Sequence, residues 1–396
     1  MLSKKASRFG SYPRHSSSSL TKFIKNLWLS QEKILSLQQL LINKKVKAMF
    51  NSIEINRFRG IRHSKLDGLK QINLFFGKNN CGKSSLLDAI FLISGLSNPK
   101  LPLNINIMRN YRRLEPSDMI LDFFSLDIEQ PIEIVATNEE KRQLLISAFE
   151  TSNSKVDLLG EDNDIASTDS NTKYGLVLKC KIDDHAYESS IVMSHSTDNS
   201  LSQRVQLDAN YKEKLSCRYL NPKFDFYTSV EGLVDVIKNK DESFIIDALR
   251  LIEPRLKDFV LSQNEVLVDI GLDKRIPINM MGDGARKILS ILTTIYECKD
   301  GIVLIDEISN GFHYSVMKGL WLSVISAAQK NHVQIFATTH DLDSIKGLRD
   351  AAIANQDLEI GVSCFKLLRA ADSELKSYPY SLESVDYSLT QDIEIR

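Results

Sequence analysis

An α/β domain is the fold class that three observations in the sequence predict. First, a strand-like apolar run, "QINLFF", ends in a glycine-rich stretch, "GKNNCGKS", and passes into a helix-like run, "SLLDAIFLISGL". Second, the C-terminal third alternates helix ("ARKILSILTTIYE"), strand ("GIVLIDE"), helix ("SVMKGLWLSVISAAQ") and strand ("VQIFATTH"). Third, further strand-like runs ("SIEINRF", "YGLVLKCKI", "YESSIVMSH") and helical ones ("VEGLVDVIKN", "SFIIDALRLIEPRLKDFV") fill the space between. The expected organisation is a mixed central sheet with an antiparallel β subdomain and a helical insertion. The domain is expected to span 49–396, with 100–265 as the inserted β and helical part.

The 396 residues suffice for a sizeable core, and 43% hydrophobic with 26% charged is ordinary for a globular chain. No apolar stretch of about eighteen residues occurs, so no transmembrane helix is expected and the expected location is cytoplasmic. Cysteines 81, 180, 217, 298 and 364 form no CxxC pair, which removes a zinc or redox signature and leaves free thiols. No internal repeat and no sustained heptad pattern are present, which excludes long coiled-coil arms.

The net charge of −1 is unevenly spread. Residues 1–48 hold ten Lys or Arg against one acid, Glu32, leaving forty bases and fifty acids in the rest. The main body therefore lacks a broad basic footprint for nucleic acid, although a local patch exists at Arg109-Asn110-Tyr111-Arg112-Arg113. The opening "KKASRFGSYPRHSSSSLTK" is basic and Ser-rich and reads as disordered; "FIKNLWLSQEKILSLQQLLINKKV" has helical apolar spacing. Three readings stand for this extension: translated sequence ahead of a start at Met49, a partner-docking arm, or a targeting segment. Residues 151–174 are polar and acidic and read as a loop.

The stretch Gly77, Lys78, Asn79, Asn80, Cys81, Gly82, Lys83, Ser84, Ser85 contains the complete GxxxxGK[ST] pattern between a strand and a helix. Glycines let the backbone wrap phosphates closely, successive N–H groups point inward, and the helix N-terminus adds positive potential. Lys83 is expected on the β- and γ-phosphates of ATP and Ser84 on Mg²⁺. "IVLIDE" supplies an apolar strand ending in two acids: Asp306 for Mg²⁺ through water, and Glu307 to polarise the attacking water. More than 200 residues separate the two motifs, so a substantial insertion lies between them. "FATTHD" ends another strand in polar groups, with His340 set to contact the γ-phosphate. In "NMMGDGARK", Gly282, Asp283 and Gly284 open a helix, a second ready-made anion site.

Taken together, these four elements resemble the ABC-class ATPases of the SMC, RecF and OLD group. "RIPINMMGDGARKILSIL", "GIVLIDEISNGFHYSVMKGLW" and "QIFATTHD" look like the stand-alone OLD-related AAA-type ATP-binding proteins of bacteria, over roughly 50–396. The resemblance implies an ABC-type head that sandwiches ATP in a homodimer or higher oligomer. Gly282, Asp283 and Gly284 would then be the signature motif that presses on the partner's ATP, and "SNGFH" the D-loop, with His313 at the interface. Met281 stands where the usual LSGGQ pattern has serine, which implies slow or partner-dependent hydrolysis. No residue fits the Q-loop glutamine well; Gln130 is the nearest candidate. "RFRGI" resembles the adenine-side loop, and for Arg57 and Arg59 both nucleotide contact and plain surface charge stand open.

Three functional classes follow. One is an ATP-gated dimeric switch that controls a separate effector protein, as in bacterial anti-phage defence. The alternative is a RecF-like ATPase of DNA repair or maintenance, with DNA as a partner. A nuclease is disfavoured, because 56 residues after His340 are too few for a TOPRIM domain and no HNH or metal-cluster pattern occurs. The acidic body and the missing arms favour the switch; no membrane partner is expected.

Overall fold

The computed structural model describes residues 50–109, 120, 123–124, 128–151, 173–195, 201–221, 230–263, 265–354, 361–370 and 374–391. The basic extension and the acidic loop foreseen at 151–174 lie outside these, except for Thr151, Lys173 and Tyr174 at strand ends.

In chain order the elements begin with β1 (Ser52–Phe58), β2 (Ile61–Asp67), β3 (Ile72–Phe76), α1 (Lys83–Ser94) and α2 (Leu101–Met108). The strands β4 (Ile132–Thr137), β5 (Lys141–Thr151), β6 (Lys173–Ile182), β7 (His185–His195), β8 (Leu201–Gln206) and β9 (Cys217–Leu220) follow. Next come α3 (Val230–Lys238), α4 (Ser243–Leu249), β10 (Asp258–Ser262), β11 (Glu265–Asp269), β12 (Ile276–Pro277) and α5 (Asp283–Glu297). The chain closes with β13 (Ile302–Ile305), α6 (Met317–Asn331), β14 (Gln334–Thr339), α7 (Leu342–Ala354), β15 (Val362–Arg369), β16 (Leu375–Tyr380) and α8 (Leu382–Thr390).

The architecture is α/β with a mixed central sheet, as the sequence predicts. Six strands run β16-β15-β3-β14-β13-β9, all parallel except β16, which lies antiparallel to β15. Seven strands, β2-β1-β4-β5-β6-β7-β8, form a wholly antiparallel sheet, and β10-β11-β12 form a small third one. Residues 100–265 are built into both large sheets: β4 pairs with β1, and β9 edges the central sheet beside β13.

Helix α1 lies between the two large sheets, against β1, β4 and β5 on one side and β9, β13 and β14 on the other. Its run Leu86, Leu87, Ala89, Ile90, Leu92 and Ile93 is buried all round, as a helix covered on two faces requires. Strand β13 divides its side chains between two cores: Ile302 and Leu304 face α1, while Val303 and Ile305 face the opposite helical layer. That layer includes α5 and α6, with Trp321 buried and its indole N–H donating to the Ser344 carbonyl at 3.0 Å.

One helical expectation needs correction. "SFIIDALRLIEPRLKDFV" is helical only over Ser243–Leu249 and ends in strand β10. Pro254 has no N–H to continue a helix, and the residues after it pair with β11 instead. The longest described helices, α5 and α6, have 15 residues each, so no long arm occurs among the described residues.

Candidate nucleotide site

The parallel strands β3, β14, β13 and β9 deliver their carboxyl ends to one edge of the central sheet, where an open α/β sheet collects functional groups. The glycine-rich loop leaves β3 there. Gly77 has φ 155°, and a Cβ on it would come within 2.4 Å of the Leu367 carbonyl oxygen, so only glycine fits. Gly82 caps α1 in a left-handed conformation, φ 110°. Lys83 is buried and folds back across the loop, donating to the carbonyls of Gly77 (2.9 Å) and Lys78 (3.1 Å). Lys78, Asn79 and Asn80 are exposed on the loop, Cys81 is buried beneath it, and Ser85 is half-buried on α1.

The acids sit just past the end of β13. Asp306 is buried, and its Oδ1 accepts from Thr338 Oγ1 (2.7 Å) and Ser84 Oγ (3.2 Å). Loop, acid strand and His-strand thus meet at one carboxylate. A hydroxyl and a carboxylate side by side are the hard oxygen donors that suit Mg²⁺, which takes few protein ligands and keeps phosphates and water for the rest. Ser84 and Asp306 would hold the ion. Beyond this pair, no cluster of three His, Cys, Asp or Glu side chains with metal-binding geometry occurs among the described residues.

Glu307 takes a positive φ of 53°, an unusual conformation for a glutamate. Its N–H donates to Thr338 Oγ1 (2.9 Å), and its carboxylate Oε2 lies 2.6 Å from His340 Nδ1. His340 is half exposed, and its contact with Glu307 holds that carboxylate at the end of β14.

Arg109 is one of the residues whose place the sequence did not signal. It was visible only as one base of a surface patch, yet it lies in the middle of the site. Its Nη1 donates to Asp306 Oδ2 (3.0 Å); Nη2 donates to Asp88 Oδ1 (2.7 Å), the Ser84 carbonyl (3.0 Å) and the Tyr219 hydroxyl (2.6 Å). Burial works against the charge, but Asp88, Tyr219 and Asp306 more than offset it, so the guanidinium pKa rises above its already high value. Burial, reinforced by the Asp88 and Asp306 carboxylates, holds Tyr219 neutral, and its hydroxyl donates to Asp88 at 3.0 Å.

The fully buried Asp88 has a second cation. Arg59 reaches it at 2.6 Å while lying over the rings of Phe58 and Phe123, so its charge is used inside the fold rather than on the surface. Arg57 is exposed and donates to the Pro131 carbonyl. Gln130 is exposed ahead of β4 and makes none of the contacts around Ser84 and Asp306; the polar residue at the end of β9, beside Asp306, is Asn221.

Gly282, φ 87°, and Asp283 are exposed at the start of α5, with Gly284 half-buried next to them and Asp283 paired with Arg286. The turn after Glu307 presents exposed Asn310, Gly311, His313 and Tyr314; His313 caps the following turn through Ser315. Met280 is 72% and Tyr314 65% exposed, so both of these turns end in apolar side chains facing solvent.

A family model described as "AAA domain, putative AbiEii toxin, Type IV TA system" matches residues 72–345, from the start of β3 into α7. The chain belongs to this AAA family. It is an AAA-type P-loop ATPase by family and carries the loop, Asp306, Glu307 and His340 within the matched span. Among curated relatives of this AAA chain is an ATP/GTP phosphatase of Helicobacter pylori. That relative is 25% identical over 366 residues, 86% of this chain and 97% of the relative. An uncharacterized protein of Methanocaldococcus jannaschii is 52% identical over 46 residues, 12% of this chain and 21% of its own length. Among solved structures, an SMC head bound to the C-winged helix domain of ScpA gives a TM-score of 0.45 at 12% identity, over 85% of this chain and 99% of that one. The SMC head domain from Thermotoga maritima gives 0.38 at 10% identity, over 84% and 99%. No described helix of this AAA chain is long and apolar enough to cross a membrane.

Proposed function

We propose that the protein is an ATP-gated dimeric switch: it binds Mg-ATP, hydrolyses it slowly, and controls a separate effector protein, in the manner of bacterial anti-phage systems with OLD-like ATPases. The observation that carries this reading is the convergence of Ser84, Asp306, Thr338, Glu307 and His340 at one sheet edge, from motifs up to 256 residues apart in sequence. The name of the Helicobacter pylori relative, an ATP/GTP phosphatase, supports phosphate release as the reaction.

In this reading the loop from Gly77 to Ser85 wraps the phosphates, and Lys83 leaves its own carbonyls for the β- and γ-oxygens. Ser84 and Asp306 would hold Mg²⁺, which when bound would offset phosphate charge. Glu307 takes a proton from the attacking water, with His340 fixing the carboxylate. Gly282, Asp283 and Gly284, exposed at the start of α5, reach the nucleotide of a second copy, and exposed Met280 and Tyr314 pack in that dimer. Met281 supplies no hydroxyl there, which supports slow hydrolysis.

The test is affinity purification of the Glu307→Gln protein with Mg-ATP, followed by size-exclusion chromatography, mass spectrometry and a nucleic-acid assay. A dimer carrying a stoichiometric protein partner without DNA is the expected result. Salt-removable DNA with no protein partner would overturn the effector switch in favour of a DNA maintenance ATPase.

A further inference from the structure

Glu307 sits in a strained backbone conformation, and such strain persists only where the surroundings over-determine it. Two of its restraints come from the neighbouring strand end: Thr338 on the N–H and His340 on the carboxylate. The Asn310 N–H bonds the Glu307 carbonyl at 3.1 Å within the turn, and a further restraint comes from another element. Lys287 of α5, 4% exposed, donates from Nζ to the Glu307 carbonyl at 2.8 Å and to the Asn310 carbonyl at 2.9 Å. The ammonium also rests over the Phe312 ring, 5.4 Å from its centroid. It forms no ion pair among the described residues. Burial depresses its pKa to about 8, with Glu307 and Asp306 partly offsetting.

A buried ammonium held by two carbonyls and an aromatic ring, with no carboxylate partner, is an expensive way to fill space that methionine, of similar length, would fill without desolvation. Its placement gives the reason. Lys287 lies one turn inside α5 from Gly284, and the carbonyls it grips bracket the turn that begins at Glu307.

We infer that Lys287 is a positioning residue that ties the exposed start of α5 to the general base and the Asn310 turn of the same subunit. This rests on the ATPase reading above and adds a route within it. A nucleotide of the second copy engaging Gly282–Gly284 shifts α5, and Lys287 carries that shift to Glu307. Each site is then completed by events at the other.

The experiment compares wild type with Lys287→Met and with the Lys287→Met/Glu307→Gln double variant. Phosphate release, fluorescent ATP-analogue binding and thermal melting are measured on the full chain. The expected result is at least a tenfold fall in kcat for Lys287→Met, with KM and analogue affinity within twofold and melting unchanged or raised at pH 7. The double variant is expected to be no slower than Glu307→Gln alone. A general structural role of the ammonium would move melting and KM together with the rate, and that outcome overturns the inference. An equally fast Lys287→Met beside an active wild type overturns it while leaving the ATPase reading intact. A wild type that binds no ATP and releases no phosphate overturns both.

Discussion

Arg109 Nη1 lies 3.0 Å from Asp306 Oδ2 while the other arm of the same guanidinium grips Asp88. One cation thus joins an acid on the loop helix to the acid at the end of β13, Asp88 to Asp306, 218 residues apart in sequence. Two carboxylates this well buried would repel each other without it, and the hydrogen bonds to the Ser84 carbonyl and Tyr219 fix its plane. The charge also sits beside the oxygens proposed for Mg²⁺, so the two cations oppose each other there.

Replacing Arg109 by Gln is therefore expected to act in two directions. Stability falls by about 3 kcal/mol, the low end of the range for breaking a buried pair, because Asp88 keeps Arg59 and Tyr219. The Mg²⁺ concentration needed for ATP binding falls on the order of tenfold, because a repelling charge is gone. Urea denaturation and Mg²⁺ titration of a fluorescent nucleotide complex measure both. An unchanged Mg²⁺ requirement would separate Arg109 from the cation site.

Glu307→Gln removes the proposed proton acceptor but keeps the shape and the His340 contact. Hydrolysis is expected to drop by roughly 10²–10⁴-fold with ATP binding retained. Single-turnover phosphate release reads this directly, and a wild-type rate would assign the base elsewhere.

Lys83→Ala takes away an ammonium whose present partners are two carbonyls of its own loop. ATP affinity is expected to weaken by roughly 10–100-fold, the worth of one charge-assisted contact of about 1.5–3 kcal/mol. Isothermal titration is the check; equal affinity would mean that the lysine stays folded back when nucleotide binds.

Lys287 gives a pH signature. Its pKa is depressed from 10.5 to about 8 in the fold, so between those values the unfolded chain binds the extra proton. Stability therefore rises with pH across that window, by up to about 1.4 kcal/mol per pH unit. Lys287→Met lacks this term, so any advantage it holds over wild type at pH 7 narrows from pH 8 upward. Denaturation curves at pH 7, 8, 9 and 10 test this; a constant gap would refute it.

Much of the candidate site's convergence was legible because the motifs proposed to bind phosphate are contiguous signals. The Gly77–Ser84 pattern, the acids ending "IVLIDE" and the threonines and histidine of "FATTHD" each announce a strand end, and parallel pairing brings them together. Arg109, Tyr219 and Lys287 gave no such signal. Each acts through a partner distant in sequence, and nothing local distinguishes a buried Arg or Lys from a solvated one. Arg59 shows the same gap: its neighbours in "RFRGI" suggested nucleotide or surface, whereas its partner is the buried Asp88 on α1. The helix expected through 243–260 failed for a different reason, since apolar spacing outweighed Pro254 in the reading and did not in the fold.

The central position of β3 has a consequence for biosynthesis. Its five residues are wholly buried, and both hydrogen-bonding neighbours, β14 and β15, are drawn from residues 334–369. On the ribosome, "INLFF" emerges with two unpaired edges and waits on the order of tens of seconds, at about 5–20 residues per second, for either neighbour to be made. A chain stopped before residue 334 would present a bare apolar strand with nothing to pair it, and such fragments should be recovered with chaperones or as aggregates rather than as a half-built domain.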